Sequence, residues 1–264
     1  MSLIHREDGV LNIDGLSIEY RKFSGTKPIP TIVLLHEGLG SVSAWKDFPE
    51  LLCKATGLSV FLYSRAGYGN SSPIKLPRSV DFHSDEAVRI LPKILDAAEI
   101  ERCILLGHSD GASIATIYAG AKSLDNQAER LILLAPHIFA EEKCVTAVEQ
   151  AIMAYENGKL RKALRKFHGK NTECAFRGWS GVWTDPEFSC WNIEEYLPFI
   201  KIPVLAIRGE DDPYNTVIHL DDITERVSGE VECFNLSNCA HAPHQEQEAR
   251  VLRLIEKFLR ACRN

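Results

Sequence analysis

The segment 103–115 constrains the fold of this chain more than any other, and it reads CILLGHSDGASIA. A short apolar run ends at Gly107, and the small, apolar residues after Gly111 suit a helix. The intervening Gly-His-Ser-Asp-Gly fits the Gly-x-Ser-x-Gly pattern, in which a strand turns sharply into a helix and exposes the central serine. Because both glycines lack a Cβ atom, the strand and the helix can approach closely. The sequence therefore predicts a strained, exposed Ser109 before a helix N-terminus that favours developing negative charge.

A pattern of five residues is weak on its own. The alternative is that Ser109 is an ordinary N-cap serine of the helix that follows it. A role as nucleophile requires an acid and a base to follow at suitable positions in the chain.

Composition restricts the class of protein. With 45% hydrophobic residues in 264, the chain can bury the core of one large α/β domain. The net charge is −6, from 30 basic and 36 acidic side chains. No basic stripe or sustained charge run is expected, so nucleic acid is not expected as a partner. No apolar run has the length of a membrane span, and the N-terminal residues lack an apolar signal core, so a cytoplasmic location is predicted.

The eight cysteines are widely spaced, with no Cys-x-x-Cys pair and no Cys/His cluster of zinc spacing. Reduced, partly buried thiols are therefore expected, with no metal and no cofactor. Cys239, two residues before His241, is the candidate for oxidation.

Buried strands alternate with helices along most of the chain. Continuous apolar runs at 31–36, 59–63, 103–106, 131–135 and 203–209 are typical of strands covered on both faces. Helical patterns at 44–56, 84–98, 111–121 and 247–262 lie between or after them, which predicts a mostly parallel sheet with helices on both faces. A half-exposed outer strand is expected at 16–23, a chain break at Pro28 and Pro30, and a kink or a true helix start at Pro92. A short helix is expected within 220–227, followed by a strand at 231–236.

The alternation stops between residues 138 and 198, where helical patterns at 146–155 and 159–167 accompany three of the four tryptophans. An insertion of this length predicts a helical lid, because binding pockets are commonly lined by aromatic side chains. The alternative is a small helical layer that these aromatic residues hold together. The predicted domains are a core of residues 1–137 and 199–264 and a lid of residues 138–198.

Three groups of candidate catalytic residues follow the ends of three separate strands, at the edge where open α/β sheets place their sites. Ser109 comes first, then Asp211 or Asp212, then His241 or His244. This order of serine, acid and histidine is the one found in α/β-hydrolases.

The chain resembles the α/β-hydrolase superfamily over nearly its whole length. The resemblance depends on four ordered segments: Leu35-His36-Glu37-Gly38, Gly107 to Gly111, Arg208-Gly209-Glu210-Asp211-Asp212-Pro213, and Cys239-Ala240-His241-Ala242-Pro243-His244. It implies the α/β-hydrolase fold with a helical lid and a serine-nucleophile mechanism.

The resemblance also orders the candidates for acid and base. In the superfamily, the acid commonly stands three residues after the glycine that ends its strand, which favours Asp212 over Asp211. The base stands on the loop after the last strand, before a Pro-His pair, which favours His241 over His244. Asp211 would then be a solvated turn residue.

The resemblance further implies an oxyanion hole made of two backbone N–H groups, from Gly38 and Asp110. The chain departs from the superfamily at Glu37, where a glycine is common. A carboxylate at this position must point away from the oxyanion or meet a cation, and Arg65 is a candidate partner.

Four other side chains are candidates for the pocket lining, namely His137, Trp179, Trp183 and Arg177. Arg177 and Arg65 suit a carboxylate or phosphate on the substrate, although a surface or structural ion pair is an equal alternative. Core packing is the alternative for the aromatic side chains.

The leading functional hypothesis is a serine hydrolase that uses a Ser-His-Asp triad and acyl-enzyme chemistry on a small carboxylic ester, thioester or lactone. One alternative is a carbon–carbon bond hydrolase of diketone-type substrates, and another is a hydrolase-fold receptor for a small molecule with slow turnover. Relatives that open epoxides or remove halides need a carboxylate at position 109 and are disfavoured. The sequence does not indicate an oligomeric state.

Overall fold

The computed structural model describes residues 4–124 and 126–261, which form an eight-stranded sheet in the order β1-β2-β4-β3-β5-β6-β7-β8. Strands β3 to β8 are parallel, and β2 pairs antiparallel with both β1 and β4. The strands are β1 (His5–Ile13), β2 (Leu16–Ser24), β3 (Lys27–Leu35), β4 (Leu58–Tyr63), β5 (Cys103–His108), β6 (Ala128–Leu134), β7 (Val204–Gly209) and β8 (Val231–Leu236). The predicted α/β class and mostly parallel sheet are confirmed.

Helices cover both faces of the sheet, because each central strand sends alternate apolar side chains to opposite sides. In β3, Val33 and Leu35 pack with one group of helices, whereas Ile32 and Leu34 pack with the other. The α-helices are α1 (Phe48–Thr56), α2 (Phe82–Asp85), α3 (Leu91–Ala97), α4 (Asp110–Gly120), α5 (Glu142–Glu156), α6 (Lys159–His168), α7 (Thr172–Trp183), α8 (Ile218–Arg226), α9 (Pro243–Glu246) and α10 (Glu248–Ala261). Helices α3, α4 and α8 cover one face, and α1 and α10 cover the other.

The structure differs from the sequence expectations at the start of the sheet. The segment His5–Ile13 forms β1, a strand that the sequence did not suggest, and it pairs along its length with β2. The expected break at Pro28 and Pro30 is wrong, because β3 already begins at Lys27. Its pairing with β4 shifts register between Lys27 and Ile32, so the two prolines lie in an irregular part of the strand.

The helix expected at 84–98 is divided. A π-helical turn at Glu86–Ile90 precedes α3, and Pro92 stands in the first turn of α3. The chain stays helical from Phe82 to Ala97, so Pro92 does not start a helix but directly follows the π-helical turn, where the absence of its backbone N–H is accommodated.

Between β6 and β7 the chain forms a segment of helices, residues 138–203, which we call the insertion. It contains α5, α6 and α7, and the last of these did not stand out in the sequence. Its apolar side chains form a cluster of their own, in which Tyr155 stacks on Phe176 with ring centroids 3.7 Å apart. Across the described residues, every helix is too short or too polar to traverse a lipid bilayer.

Candidate active site

Ser109 lies at the tight turn between β5 and α4, with φ 53° and ψ −118°. This strained conformation is possible because two glycines let backbone segments approach closely. A Cβ on Gly107 would lie 2.2 Å from the Gly111 carbonyl oxygen, and one on Gly111 would lie 2.0 Å from the Leu35 carbonyl oxygen. The geometry matches the strand-turn-helix that the sequence predicted, and it places Ser109 on the wall of a cavity.

His241 and Asp212 form a hydrogen-bonded pair at the same cavity. His241 Nδ1 donates to Asp212 Oδ2 at 2.8 Å, and the other carboxylate oxygen accepts from the Tyr214 N–H at 2.8 Å. With Nδ1 protonated, Nε2 of a neutral His241 carries a free lone pair. Burial by itself raises the pKa of Asp212, but the charge and hydrogen bond of His241 and the Tyr214 N–H lower it to about 2. Asp212 is therefore ionised at neutral pH.

The rival candidates lie elsewhere. Asp211 is exposed on the turn after β7, as the sequence predicted for a solvated residue. His244 lies in α9, where it is buried against Trp45 and Phe48. Neither side chain is part of the pair formed by His241 and Asp212.

The loop after β3, which carries Gly38, is held by a buried guanidinium. Arg65 donates from Nη1 to the His36 carbonyl oxygen (2.6 Å) and from Nη2 to the Glu37 carbonyl oxygen (2.9 Å). His36 Nε2 accepts from the Arg65 N–H at 3.1 Å, so its Nδ1 carries the proton and donates to the Glu37 carbonyl oxygen at 2.7 Å. Burial and the charge of Arg65 hold the pKa of His36 well below its usual range. These contacts hold the backbone of His36 and Glu37, the two residues directly before Gly38.

The sequence suggested Arg65 as a partner for the carboxylate of Glu37, and this suggestion is wrong. Arg65 binds the backbone, and the Glu37 carboxylate instead lies on the cavity wall, 3.9 Å from His108 Nδ1. His108 in turn donates from Nε2 to the His241 carbonyl oxygen at 2.7 Å, which ties the loop of His241 to β5.

Two backbone N–H groups are available where the oxyanion hole was predicted. Within the described residues, neither Gly38 nor Asp110 donates its N–H to a protein acceptor. Both residues line the cavity beside Ser109. A Cβ on Gly38 would lie 2.1 Å from Trp179 Cδ1, so only glycine fits beneath this tryptophan.

The carboxylate of Asp110 connects the serine turn to the insertion. Its Oδ1 accepts from Trp183 Nε1 at 3.1 Å and lies 3.3 Å from His83 Nε2. The side chain is fully buried, and although burial opposes ionisation, the neighbouring His83 and the more distant Arg65 lower the pKa of Asp110 to about 2. Lys143 of α5 makes a second link, since its Nζ donates to the carbonyl oxygens of Asp212 (2.6 Å) and Asn215 (3.0 Å).

The comparison with known families agrees with this architecture. The model of the alpha/beta hydrolase fold matches residues 30–190, more than half of the chain. The chain belongs to the alpha/beta hydrolase fold family.

Several relatives of this α/β-hydrolase can be named. It is 28% identical to sn-1-specific diacylglycerol lipase ABHD11 of Danio rerio, over 48% of this chain and 38% of that protein, so the match spans well under half of the lipase. It is 23% identical to the proline iminopeptidase of Lactobacillus acidophilus, over 96% of this chain and 98% of that protein. A solved structure of a membrane phospholipase A, a bacterial virulence factor, has a TM-score of 0.77 at 18% identity and covers 98% of this chain and 87% of its own. The structural likeness shows the shared fold.

The cavity of this α/β-hydrolase includes three of the four side chains predicted to line it, namely His137, Trp179 and Trp183. Arg177 does not line it, which corrects the prediction. It lies on the insertion surface, where it pairs with Glu156 and, at 3.0 Å, with Glu173. Glu173 lies one turn earlier on the same helix and Glu156 lies on α5, and the two carboxylates neutralise the charge of Arg177.

Other cavity residues were missed because they come from loops and helices that the sequence could not place beside Ser109. They are Leu39, Cys144, Tyr214, Ala242 and Gln245. Tyr214 packs on His241, with ring centroids 4.6 Å apart. The only sequence signal for Tyr214 was its aromatic side chain, two positions after the predicted acid Asp212.

The expectation that Cys239 is prone to oxidation does not fit its surroundings. The residue is 1% exposed, and burial raises the pKa of its thiol to about 11. Because the thiolate is the reactive form, burial and the raised pKa both disfavour oxidation of this thiol.

Proposed function

We propose that this α/β-hydrolase cleaves small carboxylic esters or thioesters, lactones included, with Ser109 as nucleophile, His241 as general base and Asp212 as its acidic partner. The observation that carries the proposal is the strained Ser109 turn on the same cavity as a histidine whose Nδ1 is bound to a buried carboxylate. This combination has the roles required of a catalytic triad.

The proposed reaction has two steps. His241 Nε2 takes the proton of the Ser109 hydroxyl as Oγ bonds to the acyl carbon, and the same proton passes to the leaving alcohol or thiol as its bond to that carbon breaks. Water then gives a proton to His241 and attacks the acyl-enzyme, which releases the acid and restores Ser109. Asp212 holds the tautomer of His241 and stabilises its cationic form.

The free N–H groups of Gly38 and Asp110 support an oxyanion hole in this reaction. Asp110 begins α4, so its N–H is one of the unpaired donors of a helix N-terminus. Two such donors stabilise the negative oxygen of a tetrahedral intermediate.

The insertion serves as a lid in this proposal. Trp179 and Trp183 of α7 line the cavity together with residues that follow the strands, and Trp183 is hydrogen-bonded to Asp110. The cavity measures about 190 Å³. This is below the range of about 300–1,000 Å³ typical of drug-sized ligands, which favours a short acyl group.

Turnover of p-nitrophenyl acetate and p-nitrophenyl butyrate tests the proposal. We expect Ser109→Ala to fold normally and to lower kcat/KM by a factor on the order of 10³ or more. Ser123→Ala is the matched control, since Ser123 is exposed and lies outside the cavity lining. Near-normal activity of Ser109→Ala would exclude the proposed nucleophile. A single turnover by the unchanged protein, followed by persistent stabilisation of its fold, would favour the receptor hypothesis instead.

A further inference from the structure

The most basic segment of the chain lies on the insertion. Six of the 30 basic side chains and none of the 36 acidic ones fall between residues 157 and 171. They are Lys159, Arg161, Lys162, Arg165, Lys166 and Lys170, and all six are exposed. The sequence expectation of no basic stripe is wrong for α6, where positive charge is concentrated in a chain of net charge −6.

Most of this charge has no acidic partner. Arg161 pairs with Glu173 at 3.2 Å. Within residues 4–124 and 126–261, the other five basic side chains form no ion pair. Such an uncompensated group of like charges attracts anions and is costly to hold together without them.

Part of the cluster lines an open groove of about 800 Å³. The lining residues are Gly158, Arg161, Lys162, Arg165, Gly169, Lys170, Thr172 and Glu173. The one carboxylate among them, Glu173, is already occupied by Arg161, Arg177 and the Tyr155 hydroxyl. The groove is therefore lined by four basic side chains and has the size of a small-molecule site.

The orientation of α6 argues against a membrane as the occupant. Its apolar side is turned inward, since Leu164 and His168 are buried and Leu160 packs on the cluster inside the insertion. A helix that binds at a membrane interface inserts an apolar face beside its basic one, and α6 has none to spare. The concave shape of the groove favours a compact group with several negative charges.

The groove adjoins the loop that carries Gly38. His168, at the end of α6, accepts from the Gly69 N–H at Nδ1 (3.1 Å), so its Nε2 carries the proton and donates to the Leu39 carbonyl oxygen (2.9 Å). Leu39 lines the cavity of Ser109, and Gly169, directly after His168, lines the groove. A hydrogen bond thus links a residue of the cavity lining, Leu39, to the residue directly before Gly169 of the groove lining.

We propose that this groove binds phosphate groups carried by the leaving thiol of a thioester substrate. The inference rests on the function proposed above and specifies its substrate class. A cavity of about 190 Å³ has room for a short acyl group but not for a phosphorylated carrier as well, so the phosphates must lie outside it. In the reaction, Ser109 Oγ bonds to the acyl carbon, the carbon–sulfur bond breaks, and the thiol leaves with the proton that His241 took from Ser109. Arginine and lysine in the groove hold the phosphates through charge-assisted hydrogen bonds.

The test compares two thioesters with the same acyl group, butyryl-coenzyme A and S-butyryl-N-acetylcysteamine, which lacks the phosphates. The groove variant is Arg165→Ala with Lys170→Ala. The matched control is Lys159→Ala with Lys166→Ala, which removes the same charge outside the groove lining. We expect the groove variant to lose about tenfold or more in kcat/KM on the coenzyme A thioester, because hydrogen bonds between charged groups are lost. Both variants should keep their activity on the truncated thioester, and the control should stay within about twofold on both substrates.

Equal losses in the two variants, or no loss in either, would overturn the inference. Calorimetry with free coenzyme A separates this failure from failure of the proposed function, since binding requires no turnover. Binding that the groove variant weakens and the control does not supports the groove even if neither thioester is hydrolysed. Absence of coenzyme A binding, or binding only to phosphatidylserine vesicles or to DNA, would contradict it.

Discussion

Gly38→Ala tests the most crowded point of the proposed site. The added Cβ would lie 2.1 Å from Trp179 Cδ1, 2.2 Å from its Nε1 and 3.0 Å from Asp110 Oδ2. Gly38 does not adopt a left-handed backbone conformation, so alanine causes no backbone strain there. The substitution acts only through the steric overlap of its Cβ with neighbouring atoms. Trp179 is packed among the buried aromatic residues of the insertion and cannot simply rotate away. Either the loop of Gly38 or the insertion must move.

The size of the effect follows from this overlap. Overpacking of a buried site costs about 1–3 kcal/mol of unfolding free energy. Displacement of one oxyanion donor lowers kcat by about 10²–10³. We therefore expect a moderate loss of stability together with a much larger loss of ester turnover.

Urea unfolding and p-nitrophenyl butyrate hydrolysis measure the two effects on one preparation. Gly181→Ala is the matched control. Gly181 lies on the same helix as Trp179, and a Cβ added there has no atom within 4 Å. This helical substitution should stabilise the protein by about 0.5–1 kcal/mol and leave turnover unchanged. Full turnover by folded Gly38→Ala would argue against Gly38 in the oxyanion hole, and unchanged stability would refute its close contact with Trp179.

Three further predictions concern the acid and the insertion. Asp212→Asn should lower kcat/KM by about 10²–10⁴, because the carboxamide no longer stabilises a cationic His241, whereas Asp211→Asn should match the unchanged enzyme in the same ester assay. Trp183→Phe should lower the unfolding free energy by about 1–3 kcal/mol in urea, since it removes a donor from the buried carboxylate of Asp110; equal stability would exclude that hydrogen bond. The pKa of Asp212, lowered from its ordinary 3.8 to about 2, predicts stability that is complete above pH 4 and is lost as the pH falls towards 2. This loss should amount to about 2 kcal/mol and be absent in Asp212→Asn, and equal acid sensitivity of both proteins in urea titrations would contradict it.

The sequence determined the sheet and the central site residues because each depends on local chemistry. The apolar runs of β3 to β7 have no polar face, so their burial on both sides could be predicted. Gly107 and Gly111 are required because a Cβ on either would lie about 2 Å from a backbone carbonyl oxygen, and a tight turn of this kind is indicated by the pattern of glycines. The strand ends at one edge of the sheet narrowed the acid to Asp211 or Asp212 and the base to His241 or His244, and the resemblance to α/β-hydrolases favoured Asp212 and His241.

The rest depends on contacts between distant segments. Tyr214 and Cys144 reach the cavity only through the path of a loop and the docking of α5, which no local pattern specifies. Arg177 was misplaced because α7 was not recognised in the sequence, so that the pair with Glu173 one turn earlier went unnoticed, and because Glu156 reaches Arg177 only when α5 and α7 pack. The basic segment itself is visible in the sequence at residues 159–170, but the sequence does not show that Arg161, Lys162, Arg165 and Lys170 line one groove, because that depends on the fold of the insertion.

Labelling with a fluorophosphonate, followed by intact-mass spectrometry and peptide mapping, tests the central claim most directly. The reagent bonds only to a serine whose proton is removed by a correctly placed base. We predict one adduct on the unchanged protein, located on Ser109, and none on folded Ser109→Ala. No adduct on the folded protein, or an adduct that persists in Ser109→Ala, would show that Ser109, His241 and Asp212 do not form a working triad.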